Sequence, residues 1–139
     1  MTSASNKRSP SIQYSPKTVV RAERSLRCAP FTIQLFETMR WQSVELSQIA
    51  GMSGVQNGYT GRSLSELAAE SDLLWLIQTG LLRREVDGQG ITDSFRLTPL
   101  GHQIVETWRN QEGGWSEPSW LDRLYDALSR WGRLPMWLQ

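Results

Sequence analysis

The 139-residue chain is 39% hydrophobic and 21% charged, long enough to bury one core unaided and too short for two ordinary domains. Cys28 and His102 are its only cysteine and histidine, which excludes an internal disulfide and any cysteine–histidine metal cluster. No stretch approaches the ~20 apolar residues of a membrane span, so a cytoplasmic protein without metal or cofactor is expected. The net charge of +1 hides an asymmetry, because residues 1–28 carry six basic residues against Glu23 alone while residues 29–139 carry nine basic against thirteen acidic.

Residues 1–14 are rich in Ser, include Lys7 and Arg8, and lack any hydrophobic period, so a disordered basic leader is expected. Ser15 followed by Pro16 supplies an N-cap and a preset first turn. Val19, Ala22 and Leu26 then recur at helical steps, predicting a helix that ends near Cys28 and docks on the body by this stripe. Lys17, Arg21 and Arg24 recur at the same spacing on a separate, basic face.

Ala29-Pro30 breaks that helix, and Phe31, Leu35, Phe36 and Met39 predict a second one running to about Trp41. A third, capped by Ser43, is expected over residues 44–50 and stopped by Gly51. Gly54, Asn57, Gly58 and Gly61 then read as a plain flexible loop, without the Lys-Ser or Lys-Thr ending of a phosphate-cradling one. Ser63, with Glu66 in capping-box position, starts the longest predicted helix, residues 64–79. Leu64, Leu67, Ala68, Leu74 and Trp75 are expected to face the core, and Leu73, Leu76 and Ile77 make the second half apolar all round, as in a central helix.

After Gly80 the period becomes strand-like. Leu82 and Val86 precede a turn at Asp87-Gly88-Gln89-Gly90, and Ile91, Phe95 and Leu97 alternate after it. Thr98-Pro99 launches a helix with Leu100, Ile104, Val105 and Trp108 inward, ending before Gly113-Gly114. Leu121, Leu124, Tyr125, Leu128 and Trp131 then predict a last helix over residues 119–131, within a Trp-rich end that also holds Trp115, Trp120, Met136 and Trp137.

From Phe31 onward the order is helix, helix, helix, two-stranded hairpin, helix. Together with Thr79-Gly80-Leu81-Leu82-Arg83-Arg84 and Phe95-Arg96-Leu97-Thr98-Pro99-Leu100-Gly101, this resembles bacterial winged-helix regulators, where a Gly-Leu-Leu step enters the wing and a Leu-Thr-x-x-Gly step leaves it. The resemblance implies a mostly α fold with a small β-hairpin: a winged helix-turn-helix domain over residues 15–112, extended by the N-terminal helix and by a Trp-rich C-terminal helix and tail over residues 113–139. The stretch from Glu66 to Val105 is also similar to a family of small uncharacterised cyanobacterial proteins.

For a DNA-binding regulator, the resemblance makes residues 64–79 the recognition helix and residues 82–97 the wing. Lys17, Arg21, Arg24, Arg83, Arg84 and Arg96 would then meet phosphates, with Arg62 and Ser65 approaching the bases of duplex DNA. Glu66, Glu70 and Asp72 on the same helix oppose that role by repelling phosphates, and a connection of about ten residues is long for a helix-turn-helix.

The alternative is a protein-interaction adaptor that leaves nucleic acid alone and docks through Trp120, Leu124, Trp131 and Trp137. The same last helix would equally fold back on its own domain or pair with its copy in a homodimer. The charge-balanced polar face of that last helix, Asp122, Arg123, Asp126 and Arg130, argues against an anionic membrane. Catalysis is not expected: His102 reads as a surface partner of Glu106, Cys28 as a small residue at a helix end, and no nucleophile elbow is present.

Overall fold

Ser15 opens the first element in the way its sequence requires: its hydroxyl accepts from Thr18 N at 3.2 Å, Pro16 occupies the first turn, and helix α1 runs Pro16–Cys28. The computed structural model describes residues 13–110 and 119–131. Most of the expected leader, the Gly113-Gly114 break, Trp115, and the tail with Met136 and Trp137 lie outside the described residues. Ala22 and Leu26 are fully buried, so the stripe predicted for α1 is the one that docks.

Helix α2 (Ile33–Met39) buries Leu35, Phe36 and Met39, and Phe31, just ahead of it, forms an isolated bridge with Thr60 and meets Phe36 edge-on. Two expectations fail in the segment that follows. The helix predicted for residues 44–50 is divided: Val44–Glu45 form a short strand, β1, and only α3 (Leu46–Ile49) is helical. The reason is tertiary, since β-branched Val44 finds a fully buried place opposite Phe95. Glu45 rather than Ser43 caps α3, in a reciprocal capping box with Gln48.

The stretch read as a flexible glycine loop contains a helix, α4 (Gly51–Gln56). Gly51 takes a left-handed φ of +66°, which turns the chain between α3 and α4, and its N–H donates to Leu64 O at 2.7 Å. Gly54 is buried against the Ile49 carbonyl, where a Cβ would collide. Gly51 thus serves a turn and Gly54 a close contact.

Helix α5 (Glu66–Gln78) is capped by Ser65, whose hydroxyl accepts from Ala68 N at 3.0 Å, and not by Ser63. Its buried face is Ala69, Leu73, Trp75 and Leu76; the expected core residues Leu67 and Ala68 are exposed, as is much of Leu74. Ala69, Leu73 and Leu76 recur at steps of four and three and form the line that packs on the core, while Leu67 and Ala68 lie off it. Leu64 is buried as expected, ahead of the helix.

Gly80, at φ +95°, ends α5 and hands the chain to β2 (Leu82–Asp87), which turns through Gly88 and Gln89 into β3 (Gly90–Leu97). The three strands form one antiparallel sheet in the order β1-β3-β2, with Leu82 opposite Leu97 and a bulge between Arg84 and Val86. Only the base of the hairpin joins the core: Leu82, Phe95 and Leu97 are buried, whereas Val86 and Ile91 near the tip are exposed.

Helix α6 (Pro99–Arg109), capped by Thr98, sends Leu100, Ile104, Val105 and Trp108 inward as expected. Gly101 sits where a Cβ would collide with the Leu81 carbonyl and lie 2.9 Å from Leu97 Cδ2. The Leu-Thr-x-x-Gly step thus brings α6 against the entry to the hairpin. The last element is α7 (Trp120–Trp131), which lies on α1. The molecule is therefore mostly helical with a small three-stranded antiparallel sheet.

Candidate functional site

Helix α7 presents its two faces in an unusual order. The side chains held against the body are polar: Asp122 Oδ1 pairs with Arg27 Nη2 at 3.2 Å, Asp126 Oδ1 accepts from Trp75 Nε1 at 3.0 Å, and Arg130 Nη1 meets Asp72 Oδ1 at 2.9 Å. Arg130 also donates to Ser71 O and Oγ, and the Arg24 guanidinium lies 5.1 Å from the Tyr125 ring centroid. At the start of the helix Ser119 and Asp122 cap one another reciprocally.

The apolar side chains face the other way. Leu121, Leu124, Leu128 and Trp131 remain 45%, 44%, 56% and 56% exposed, Trp120 is 72% exposed, and no residue of α7 is buried. Their steps of three, four and three residues are those of a heptad seam, with Tyr125 and Ala127 at the flanking positions. The expectation of a greasy helix is met in composition, but the helix docks by salt bridges and hydrogen bonds and offers its grease to solvent.

The carboxylates of this latch respond differently to their surroundings. The Ser119 N–H and the Arg27 guanidinium hold Asp122 below the usual carboxylate range, whereas burial pushes Asp126 upward, more than its bond from Trp75 and the nearby Arg130 and Arg24 pull it down. Burial and then Asp126 raise the Cys28 thiol to about 11, which keeps it protonated at neutral pH. His102 is lowered by burial and by Arg40 and Arg96, against a weaker opposing pull from Glu106. No catalytic pairing of these groups is present among the described residues.

The basic residues expected to meet nucleic acid fall into separate places. Lys17, Arg21 and Arg24 line a cleft of about 530 Å³ between α1 and α7, which Ser129 closes on the far side. Arg62 and Arg83 are exposed, and Ser65 is occupied as a cap. Arg84 is held by Asp93 at 3.0 Å and Glu70 at 3.4 Å and lies over the Phe95 ring, while Arg96 pairs with Glu85 at 3.4 Å. Between α5 and the hairpin lies a cleft of about 430 Å³ lined by five carboxylates, those of Glu45, Glu66, Glu85, Asp87 and Asp93. Trp120, Leu124 and Trp131 share the outward side of α7, and Trp137 lies outside the described residues.

A family model described as Npun_F0494-like matches residues 12–130. The chain belongs to the Npun_F0494-like family. The matched length runs from ahead of α1 into the last turn of α7, so the latch on α7 falls within the extent of the family model, in agreement with the resemblance to small cyanobacterial proteins. No curated protein and no solved structure matches the chain. Among the described residues no helix is long and apolar enough to cross a membrane.

Sequence reasoning had no access to the latch. Asp122, Asp126 and Arg130 recur on one face, but that face reads as solvated polar surface until its partners are known. Arg27 is 95 residues from Asp122, and Asp72 is 58 from Arg130, so no local spacing connects them.

Proposed function

We propose that this chain is a non-catalytic protein-interaction module on a winged-helix scaffold, and that it works by pairing the outward seam of α7 with the same seam of a second copy. The exposure of Leu121, Leu124, Leu128 and Trp131 on a helix whose charged face is already satisfied carries this reading. Heptad spacing calls for a helical occupant. The flanking Tyr125 and Ala127 carry no charge, and Asp122, Asp126 and Arg130 are engaged on the body side, so two identical seams meet around a two-fold axis without like charges facing each other. A groove of about 420 Å³, lined by Leu67, Leu74, Trp75 and Trp131 with Glu70, Ser71, Gln78 and Arg130 between them, extends the contact from Trp131 onto α5, toward the ~800 Å² per partner of a stable interface.

The winged-helix assignment rests on the order of elements, with α5 followed by the β2–β3 hairpin and α6, and on the packing of Gly101 at the base of the hairpin. Duplex DNA is the less favoured partner. Carboxylates line the cleft beside the start of α5, and Arg84 and Arg96 are engaged in ion pairs, so a phosphate backbone approaching this side meets net repulsion. The native mass of the purified chain, followed by light scattering over a dilution series, tests the proposal. A mass of two chains that falls toward one on dilution supports it, and one chain at every concentration overturns self-pairing. In parallel, affinity for random-sequence duplex DNA that falls steeply with salt would restore the regulator reading.

A further inference from the structure

Six described arginines, Arg27, Arg40, Arg84, Arg96, Arg109 and Arg130, each meet a carboxylate. Among the described residues Lys17, Arg21 and Arg24 meet none, as Arg62, Arg83 and Arg123 do not, and the first three stand together at one cleft. Arg21 Nη2 donates to Gln78 O at 3.2 Å and Arg24 lies over Tyr125; the Nε of each is buried without an acceptor among the described residues, as is that of Arg40 outside the cleft, which leaves the remaining guanidinium N–H groups of Arg21 and Arg24 as the donors for a ligand. Such buried donors are uncommon in folded proteins. The hydroxyl-bearing Thr18 and Ser129 share the cleft, and it opens at the first turn of α1, where the helix dipole adds partial positive charge. Asp126 is the carboxylate close enough to feel Arg24, and it is committed to Trp75.

We infer that the cleft between α1 and α7 binds a small ligand carrying two or more phosphate groups. At a rise of ~1.5 Å per residue, Lys17, Arg21 and Arg24 span ~10 Å of one helix face, enough to meet more than one phosphate at once. Arginine donors in a recessed, partly apolar site suit bidentate recognition of phosphate oxygens, with Lys17 as a point charge at the mouth. The cations stand on one short helix face with Ser129 of α7 opposite, a span that suits a free oligophosphate or a nucleotide better than the long backbone of a duplex. Ser129 belongs to the body-facing side of α7, so this site stands or falls independently of the seam.

Titration calorimetry of the full chain with inorganic tripolyphosphate at low salt tests the inference. Wild type is expected to bind, with Arg24→Gln weakening affinity about tenfold and Lys17→Gln about fivefold. The double variant Arg62→Gln/Arg83→Gln, which removes two exposed charges elsewhere, is expected to leave affinity unchanged. Lys17 is exposed and meets no carboxylate among the described residues, so its variant reads the site without disturbing the fold. No heat at millimolar tripolyphosphate overturns the inference, and so does an equal loss in the Arg62/Arg83 variant. A random-sequence duplex that binds more tightly than tripolyphosphate and depends on Lys17 and Arg24 would equally overturn it, by placing the cations on a nucleic-acid backbone.

Discussion

Replacing Leu124 and Leu128 together by alanine separates association from folding. Each side chain is about half exposed in the single chain, at 44% and 56%, so pairing can still bury roughly half of it. Full burial of a leucine stabilises by about 1.5–3 kcal/mol, so each is expected to contribute about 1 kcal/mol on pairing. A two-fold contact uses each residue twice, so the double variant should lose about 4 kcal/mol of association, or about a thousandfold in Kd. The isolated fold should be nearly indifferent, changing by about 0.5 kcal/mol or less, because the positions are at the surface and alanine is the stronger helix former. Sedimentation equilibrium gives Kd and thermal unfolding at low concentration gives stability. Met52→Ala, which truncates an exposed apolar side chain on α4, serves as the control. A Kd that moves less than tenfold in the double variant, or as much in the Met52 control, would refute the seam.

Gly101→Ala forces a methyl into the Leu81 carbonyl, and overpacking of about 1–3 kcal/mol there should outweigh the ~1 kcal/mol that alanine adds in a helix. A net loss of up to about 2 kcal/mol lowers Tm by up to roughly 6 °C, whereas Gly88→Ala, in open space, should change it little. Asp126→Asn keeps an oxygen acceptor for Trp75 and removes a half-buried charge. Because the folded-state pKa of Asp126 is raised, its favourable contribution is complete below the ordinary carboxylate pKa and is lost as pH rises through the folded value. The Asn variant should therefore melt above wild type at pH 7, with the gap closing in acid; a wild type more stable at pH 7 would contradict this. Cys28, raised from 9.0 to about 11, should react with iodoacetamide at pH 8 roughly a hundredfold more slowly than an unperturbed thiol, as read by mass spectrometry.

The elements most legible in the sequence are those whose signals are local and mutually consistent. Ser15-Pro16 and Thr98-Pro99 begin α1 and α6, and the inward residues of both helices are the expected ones. The hairpin turn lies where Asp87 and Gly90 bracket Gly88 and Gln89, because a strand period broken by a glycine pair leaves few alternatives. Around residues 43–61 local reading fails. Val44 becomes a strand because Phe95 lies across from it, and Gly51 and Gly54 serve a turn and a close contact where composition alone reads as flexibility.

The candidate surfaces divide in the same way. Composition and period determine that α7 is amphipathic and that α1 carries a basic stripe. Which side of α7 turns inward is a tertiary decision. Arg27, Asp72 and Trp75 come from distant parts of the chain and pair with Asp122, Arg130 and Asp126 on the inward side, which leaves the leucines facing out. Periodicity reports that two faces differ, but only the surrounding structure supplies the charges and donors that choose between them.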